Sequence, residues 1–326
     1  RWWLDGPQLQ DIAGIAFVAL LGTVSVFLAG RLSLEALSRR SALVSQMKFA
    51  VTLQDIRTVV LLRRQLSQEH MRVKPWVKVP RILRRDIVVG RGFRSIMHFP
   101  VRRLIRMKLL TMTASAALVV AWRGTTPAII VAGLAMFVVG LDAVEPLSQE
   151  VDQPDRTDAL PVERGLLMTK HLIVPAITMI PFLLSGVVVA YFLEPQASTI
   201  AYAFIIGVPV VLAGVAGASI NAVKGAPDPV GGANAGLALP PEMSGMGTLL
   251  RAIFPPAIAI LGCSPVIITQ RTMDTGDSFT LTLRISFAVL MILGLVAGWV
   301  RQRDAIGAYF RNIAQQVNPA NKPEGN

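Results

Sequence analysis

Hydrophobic residues run along the chain in long blocks that are separated by polar and charged stretches. A helix that rises 1.5 Å per residue needs about 20 mostly apolar residues to cross the hydrocarbon layer of a membrane. These blocks lack the period-2 alternation of a membrane β-barrel. The pattern therefore predicts seven transmembrane helices, at residues 11–30, 107–122, 128–144, 172–193, 197–220, 253–269 and 279–300.

The predicted fold is an all-α, polytopic bundle of about seven spans, with basic amphipathic helices outside the membrane. We expect four regions: a first span with its outer segment, a basic helical region, a bundle of six spans and a tail, at 1–30, 31–106, 107–300 and 301–326. The short connections "RGTTP" and "EPQAS" predict that spans two and three, and spans four and five, form antiparallel hairpins. Because the sequence opens on Arg1 rather than methionine, we expect further residues before it, so seven spans is a minimum.

Composition supports a membrane protein, with 53% hydrophobic and only 16% charged residues. The single cysteine, Cys263, lies inside an apolar run, which excludes a disulfide framework within the chain and a cysteine-based metal site. The histidines, His70, His98 and His171, are scattered. No histidine, cysteine or carboxylate constellation has catalytic spacing, so we expect no enzymatic activity, metal or bound cofactor.

The positions of the cations predict the orientation. If residues 31–106 are cytoplasmic, 28 of the 32 Lys and Arg residues fall on that side or at its boundary. The four exceptions are Arg1, Arg123, Arg271 and Arg284. Cytoplasmic loops of membrane proteins carry such an excess of Lys and Arg. We therefore expect a multi-pass protein of the cytoplasmic membrane, with the N-terminal end outside and the C-terminal end inside. The net charge of +12 then belongs to the cytoplasmic face, and we do not expect nucleic-acid binding.

The first half of the basic region predicts an amphipathic helix. Phe49, Leu53, Ile56 and Val60 follow at spacings of four, three and four residues, as one apolar helix face requires. Such a helix can lie on the anionic headgroups of membrane lipids, or it can contact a cytoplasmic partner. Both interpretations remain open.

The second half of this region is expected to be broken into short pieces, since it contains Pro75, Pro80, Pro100, Gly90 and Gly92. Its "GRGFR" stretch lacks the glycine spacing of a phosphate-binding loop. The glycine- and proline-rich link at 224–247 likewise predicts a cytoplasmic loop without a phosphate-loop pattern. We therefore expect the chain to bind no nucleotide itself.

The cytoplasmic link before span four contains "DALPVERGLLMTK", residues 158–170. Asp158 can cap a helix that begins near Pro161, and Glu163 in its first turn suits the positive end of the helix dipole. Lys170 marks the lipid boundary. The helix can act as a rigid lever at the cytoplasmic surface, or it can simply re-enter the interface with a snorkelling lysine.

This link resembles that of the permease subunits of ABC-type exporters with separate ATPase subunits. There an acidic residue precedes a variable stretch, an "LPV-x-R" turn, two leucines and a lysine that opens the next span. The matching positions here are Glu150, Leu160, Pro161, Val162, Arg164, Leu166, Leu167 and Lys170. Such permeases usually have six spans, one fewer than predicted here, and a shorter connection between their first spans.

The resemblance implies that a separate ATPase, which carries the ATP, docks near this link. It also implies that the chain works beside other subunits, including a possible second permease chain. The residues it places at the ATPase contact are Glu150, Pro161, Val162, Glu163, Arg164 and Lys170. We expect these residues to transmit nucleotide-driven movement.

Few ionisable residues lie in or near the spans. Asp142 and Glu145 stand at the cytoplasmic end of span three, and Arg284 about one turn inside the outer end of span seven. Each is close enough to an interface to reach water, so we expect anchoring, with a functional role as the alternative. Prolines should interrupt spans four, five and six, because each removes a backbone donor and can kink its helix. They stand at positions 175, 181, 209, 255, 256 and 265.

The sequence predicts a permease subunit of an ATP-driven exporter, whose substrate it does not identify. The alternative is a membrane scaffold subunit that does not transport and holds a larger assembly together through its basic helices. Co-purification with an ATPase distinguishes the two functions.

Overall fold

The computed structural model of the chain describes residues 18–25, 72–78, 86–152, 163–224, 253–272 and 278–317. The chain divides into two compact units, Arg1–Glu69 and His70–Asn326. In the first unit, residues 18–25 form helix α1, which lies inside the first predicted span. The rest of that span and the predicted amphipathic helix of the basic region lie outside the described residues.

All regular structure in the described part of the second unit is helical, as predicted. Its elements in chain order are α2 (Ile87–Met97), α3 (Val101–Trp122), α4 (Ala128–Ala143), α5 (Glu145–Asp152), α6 (Arg164–Thr178), α7 (Ile180–Leu193), α8 (Ala197–Lys224), α9 (253–261), α10 (Ser264–Thr272) and α11 (Ser278–Val317).

Five stretches of the described chain are long and apolar enough to cross a membrane. They are Val101–Trp122, Gly165–Leu193, Ala197–Val223, Ile253–Thr272 and Ser278–Arg303. Helices α4 and α5 pass the same test only together, as a pair bent by 58°. The described residues thus contain five helical stretches able to span a membrane, or six if the bent pair is one span, as in a multi-pass membrane protein. The first predicted span, 11–30, stays a prediction, because most of its residues lie outside the described part.

Several helices extend beyond the apolar runs that predict them. Helix α3 begins at Val101, where residue 107 was the predicted start, and Pro100 stands just before it as the N-cap residue. Helix α11 continues to Val317, so the predicted C-terminal tail starts as the same helix. The glycines at 90 and 92 were expected to break the basic region, yet both lie inside α2. Helix α2 instead ends just before Pro100, which fits the predicted effect of that proline.

Prolines divide two of the spans, as predicted. Helices α6 and α7 meet at Met179, and Pro181 near the start of α7 has no N–H with which to continue the ladder of α6. Helices α9 and α10 are separated at residues 262–263, just before Pro265. Helix α8, in contrast, runs without a break through Pro209. A proline therefore interrupts these spans at some positions and is accommodated at others.

Helix α8 is the centre of the bundle. In its most apolar stretch 61% of the residues are buried, against 22–39% in the other four spans. It packs against α4, α7 and α11, while α3 packs against α4 and α7. The short connections thus produce the predicted pairs of neighbouring spans. Helix α11 is peripheral and exposes large apolar side chains such as Phe287 and Leu295, as a lipid-facing helix does.

The closest approach between α4 and α8 depends on two glycines. A Cβ atom at Gly140 would lie 2.2 Å from the carbonyl oxygen of Gly214, and one at Gly214 would lie 2.6 Å from that of Met136. Small residues at such crossings let transmembrane helices approach closely enough for their backbones to contact. No side chain fits there unless the helices separate.

We therefore expect Gly140→Ala to lower the free energy of unfolding in detergent by about 1–3 kcal/mol, the usual cost of overpacking. Gly294→Ala is the matched control, because Gly294 is exposed on α11 and a Cβ there would meet nothing within 4 Å. The control should unfold at the same denaturant concentration as the wild type, or slightly higher. Equal losses in the two variants would contradict the proposed glycine crossing.

Candidate functional site at the basic end of the bundle

Charged contacts bring several helix ends together at one side of the bundle. Asp142 at the end of α4 contacts the start of α3. A Cβ at Gly165, at the start of α6, would meet the carbonyl oxygen of Arg301 on α11. We call this side the basic end, and the side that carries the connections 123–127 and 194–196 the opposite end.

A proline causes the bend between α4 and α5, and an arginine side chain replaces the hydrogen bond that the proline removes. Pro146, the second residue of α5, has no N–H to donate to the carbonyl of Asp142, four residues earlier. Arg103 supplies the missing donor, since its Nη2 donates to that carbonyl oxygen at 2.9 Å. The guanidinium also stacks 4.0 Å from the centroid of the Phe99 ring. Arg103 therefore fixes the bend from the neighbouring span α3.

Two arginines and two carboxylates form a charge-balanced cluster around this bend. Arg106 binds both carboxylate oxygens of Asp142, with Nη2 at 2.5 and 2.7 Å and Nε at 3.1 Å. Arg103 Nε approaches Asp142 Oδ1 to 3.2 Å as an ion pair, and its Nη2 lies 3.4 Å from Glu145 Oε2. We call Arg103, Arg106, Asp142 and Glu145 the bend cluster.

The bend cluster changes the interpretation of the two boundary carboxylates. The sequence predicted that Asp142 and Glu145 reach water, but they are only 7% and 9% exposed. Buried carboxylates are stable when paired and hydrogen-bonded. The arginines of α3 provide that pairing, so these residues join two spans rather than anchor one to the interface. Arg284, predicted near the outer end of its span, is exposed on α11.

Helix α2 is joined to α6 through its own N-cap. Asp86 Oδ1 accepts hydrogen bonds from the backbone N–H groups of Val88 and Val89, at 3.0 and 3.4 Å. Its other oxygen accepts one from Lys170 Nζ at 2.5 Å. The Lys170 hydrogen bond is the main cause that lowers the pKa of Asp86 below its usual value. One carboxylate thus caps α2 and binds the lysine that the sequence placed at the lipid boundary.

A second contact of α2 lies one turn further along. Arg91 pairs with Glu150 of α5, and His171 Nε2 of α6 lies 3.8 Å from the same carboxylate oxygen. Gly92 allows α2 to approach α6, because a Cβ there would lie 2.8 Å from Val174. We call Asp86, Arg91, Glu150, Lys170 and His171 the α2 cluster. It ties one helix outside the spans to both α5 and α6.

Residues 72–78 are held against the end of α2. Trp76 Nε1 donates to the carbonyl oxygen of Phe99 at 2.8 Å, and the backbone N–H of Trp76 donates to the carbonyl oxygen of Met97 at 3.0 Å. Arg72 stacks on the Trp76 ring, and its carbonyl contacts His98 Nδ1 at 2.7 Å. This segment therefore adds a further basic layer beside α2 rather than a separate domain.

The predicted ATPase-contact residues occupy different places in this arrangement. Glu150 is buried, whereas Lys170 is partly exposed and bound to Asp86. Glu163 is exposed and extended (φ −53°, ψ 130°), and α6 begins at Arg164 rather than near Pro161. Pro161, Val162 and the predicted cap Asp158 lie outside the described residues.

The sequence analysis did not single out Asp86 or the arginines that complete the two clusters. Arg91, Arg103 and Arg106 are three of 18 cations in the basic region, and nothing in their spacing distinguishes them. Pro146 was the available signal, because a proline four residues after Asp142 leaves a carbonyl that needs a donor. The chemistry of the clusters is electrostatic. In the described parts of the chain, no group of three or more His, Cys, Asp or Glu side chains could hold a metal ion.

Comparison with protein-family models, with curated proteins and with solved structures finds no match for this chain.

Proposed function

We propose that this chain is the permease subunit of an ATP-driven exporter in the cytoplasmic membrane, with a separate ATPase docked at the basic end. One observation carries the proposal. Helix α2 lies outside the spans and is tied by ion pairs to the bent span α4–α5 and to the broken span α6–α7. A force on α2 would therefore reach two spans at once.

The connection between α2 and the spans suits the transmission of movement. It combines two ion pairs with the close approach of Gly92 to Val174, so α2 cannot slide along α6 without breaking contacts. Helix α6 then meets α7 at Met179, in a stretch with prolines at 175 and 181. Proline positions are where a transmembrane helix bends most easily. We propose that this joint converts movement of α2 into a change between spans.

The surface offered to the ATPase consists of the exposed residues around the two clusters. Helix α2 exposes Arg94, α3 exposes Arg102, and Glu163 precedes α6. Glu150 and Lys170 would act indirectly in this arrangement, through Arg91 and Asp86. The positive-inside distribution of Lys and Arg supports the cytoplasmic assignment of this end.

The test exchanges two charges at the start of α6. Glu163→Lys with Arg164→Glu inverts local charge without altering net charge. We expect the ATPase that co-purifies with the chain to bind roughly 5- to 150-fold more weakly, because pairs desolvated in an interface are worth about 1–3 kcal/mol. Binding and stimulated ATP turnover are measured in reconstituted membranes. Pro161→Gly is a second probe, since it loosens the predicted helix start but leaves charge unaltered.

A charge-neutral control at the opposite end separates local from general effects. Thr125→Lys with Arg271→Gln also keeps net charge constant, and both residues are exposed. This control should bind the ATPase as the wild type does. Normal expression with unchanged ATPase binding in both probes at the start of α6 would remove the support for a permease. A scaffold subunit would then be the better explanation.

A further inference from the structure

A cavity of about 80 Å³ lies between α3, α7 and α8, in the half of the bundle towards the opposite end. Small residues line it on two helices: Gly186 and Ala190 on α7, and Ala203 and Gly207 on α8. One water molecule needs only about 10–15 Å³ by the same measure. The space is therefore large enough for part of a ligand.

The walls of this cavity favour an apolar occupant. Most lining residues are apolar, and three of the four lining residues with a hydroxyl group use it in a hydrogen bond within the protein. Thr111 donates to the Met107 carbonyl at 2.9 Å, and Ser115 donates to the Gly186 carbonyl at 2.6 Å. The Tyr202 hydroxyl contacts Ser278 Oγ at 2.8 Å. Apolar cavities in proteins stay dry and accept apolar guests.

The cavity has a charged pair beside it at the membrane edge. Glu194 lines the cavity, and its Oε2 accepts from Arg123 Nε and Nη2 at 3.1 and 2.8 Å. Arg123 Nη2 also donates to the Leu193 carbonyl at 2.6 Å. Within the described chain these bonds leave Nη1 of Arg123 without a partner, and this side chain is half-exposed. Guanidinium groups bind phosphate oxygens well.

We propose that this cavity binds one acyl chain of a membrane phospholipid whose phosphate lies on Arg123. Helices α7 and α8 expose Leu184, Val188 and Phe204 next to the cavity, so hydrocarbon chains of the bilayer lie beside it. The bound lipid would fill the cavity and bridge α7 to α8. This site does not depend on the proposed export function, because it lies at the other end of the bundle.

Photolabelling in nanodiscs tests the proposal. The purified chain is reconstituted in phosphatidylcholine that contains a small fraction of phosphatidylcholine with a diazirine on one acyl chain. Val187 and Ile206 line the cavity and are buried at 8% and 4% exposure. We expect labels on both, mapped by peptide mass spectrometry, at yields comparable with the exposed Leu184 and Val188. A lipid that stays outside the cavity would label only the exposed pair.

Matched variants link this labelling to the cavity. Ala203→Leu should reduce labelling of Val187 and Ile206 relative to Leu184 by about tenfold, since the larger side chain fills the space. Ala201→Leu adds the same side chain on the exposed face of α8 and should leave the ratio unchanged. Ala190→Leu repeats the block from α7, so the result does not rest on one variant that folds poorly.

A separate variant tests whether the lipid phosphate binds Arg123. Arg123→Gln should lower cavity labelling by the phospholipid probe about tenfold, the effect of losing one charge-assisted hydrogen bond. A diazirine-labelled hexadecane should label the cavity weakly in all variants. Equal ratios in Ala203→Leu and Ala201→Leu would overturn the proposed site. Strong cavity labelling by the hydrocarbon probe, unaffected by Arg123→Gln, would overturn the phospholipid as its occupant.

Discussion

Replacement of Arg103 by methionine is expected to lower the free energy of unfolding by about 3–5 kcal/mol, the usual cost of removing one partner from a buried ion pair. Two losses combine. The carbonyl of Asp142 loses the donor that replaces the N–H absent at Pro146. Glu145 loses its arginine and, among the described residues, keeps the long hydrogen bond from Gln149 at 3.4 Å. Both groups are buried, so water does not restore them.

The measurement is denaturant unfolding of the purified chain in detergent micelles, with the free energy extrapolated to zero denaturant. Arg102→Met is the matched control, because Arg102 is the neighbouring arginine on the same helix and is exposed. Its loss should stay within about 0.5 kcal/mol. This pair of variants removes the same charge and adds the same side chain, so the difference isolates the bend cluster.

A double variant separates the two losses. In Arg103→Met with Glu145→Gln the buried carboxylate is neutral, so the second change should recover about half of the loss caused by the first. The carbonyl of Asp142 remains without its donor in the double variant, which accounts for the other half. Similar unfolding of the Arg103→Met and Arg102→Met variants would show that the bend does not depend on this cluster.

The helical architecture was predictable because a span needs only length and apolar composition. Runs of aliphatic residues such as 197–220 satisfy both conditions without any information about neighbours. Proline positions predicted the breaks near Met179 and before Pro265 for the same local reason. The continuation of α8 through Pro209 was not predictable, because it depends on how the surrounding helices pack.

The candidate site was only partly predictable, because it depends on which charges meet across the fold. The sequence singled out Asp142 and Glu145 as boundary charges but predicted water around them, and it named Glu150 only through the family resemblance. Lys170 was placed at the lipid boundary, but its bond to Asp86, 84 residues earlier, was not predicted. A basic region with 18 cations offers many equivalent partners, so local pattern cannot select Arg103 for the bend.

Gly92 likewise has a role that local sequence pattern does not predict, because it depends on helix packing. Glycines and prolines that occur together in a short stretch mark turns and loops, so the sequence predicted breaks around Gly92. In the structure it lies inside α2, where its missing side chain makes room for Val174 of α6. A long-range contact therefore determines the role of this residue, and the backbone preference of glycine does not.

Single-cysteine labelling is expected to give an all-or-none result for the orientation of the protein. If the basic end is cytoplasmic, cysteines at Thr125, Gln196 and Thr275 should react with an impermeant thiol reagent added from outside intact cells. Cysteines at Ser67, Asp155 and Asn234 should not react until the membrane is permeabilised. Two of the first group are exposed at the opposite end, which makes them accessible to the reagent.

The background for this experiment is Cys263→Ala, which removes the only native thiol. That thiol is buried, so the wild-type chain should itself react only at the background level in either orientation. The physical basis is the distribution of 28 of 32 Lys and Arg residues on one side, since such a bias sets the orientation in which a chain inserts. Labelling of Ser67, Asp155 and Asn234 with protection of the other three would reverse the orientation. A mixed pattern would show that the number of spans differs from the one proposed.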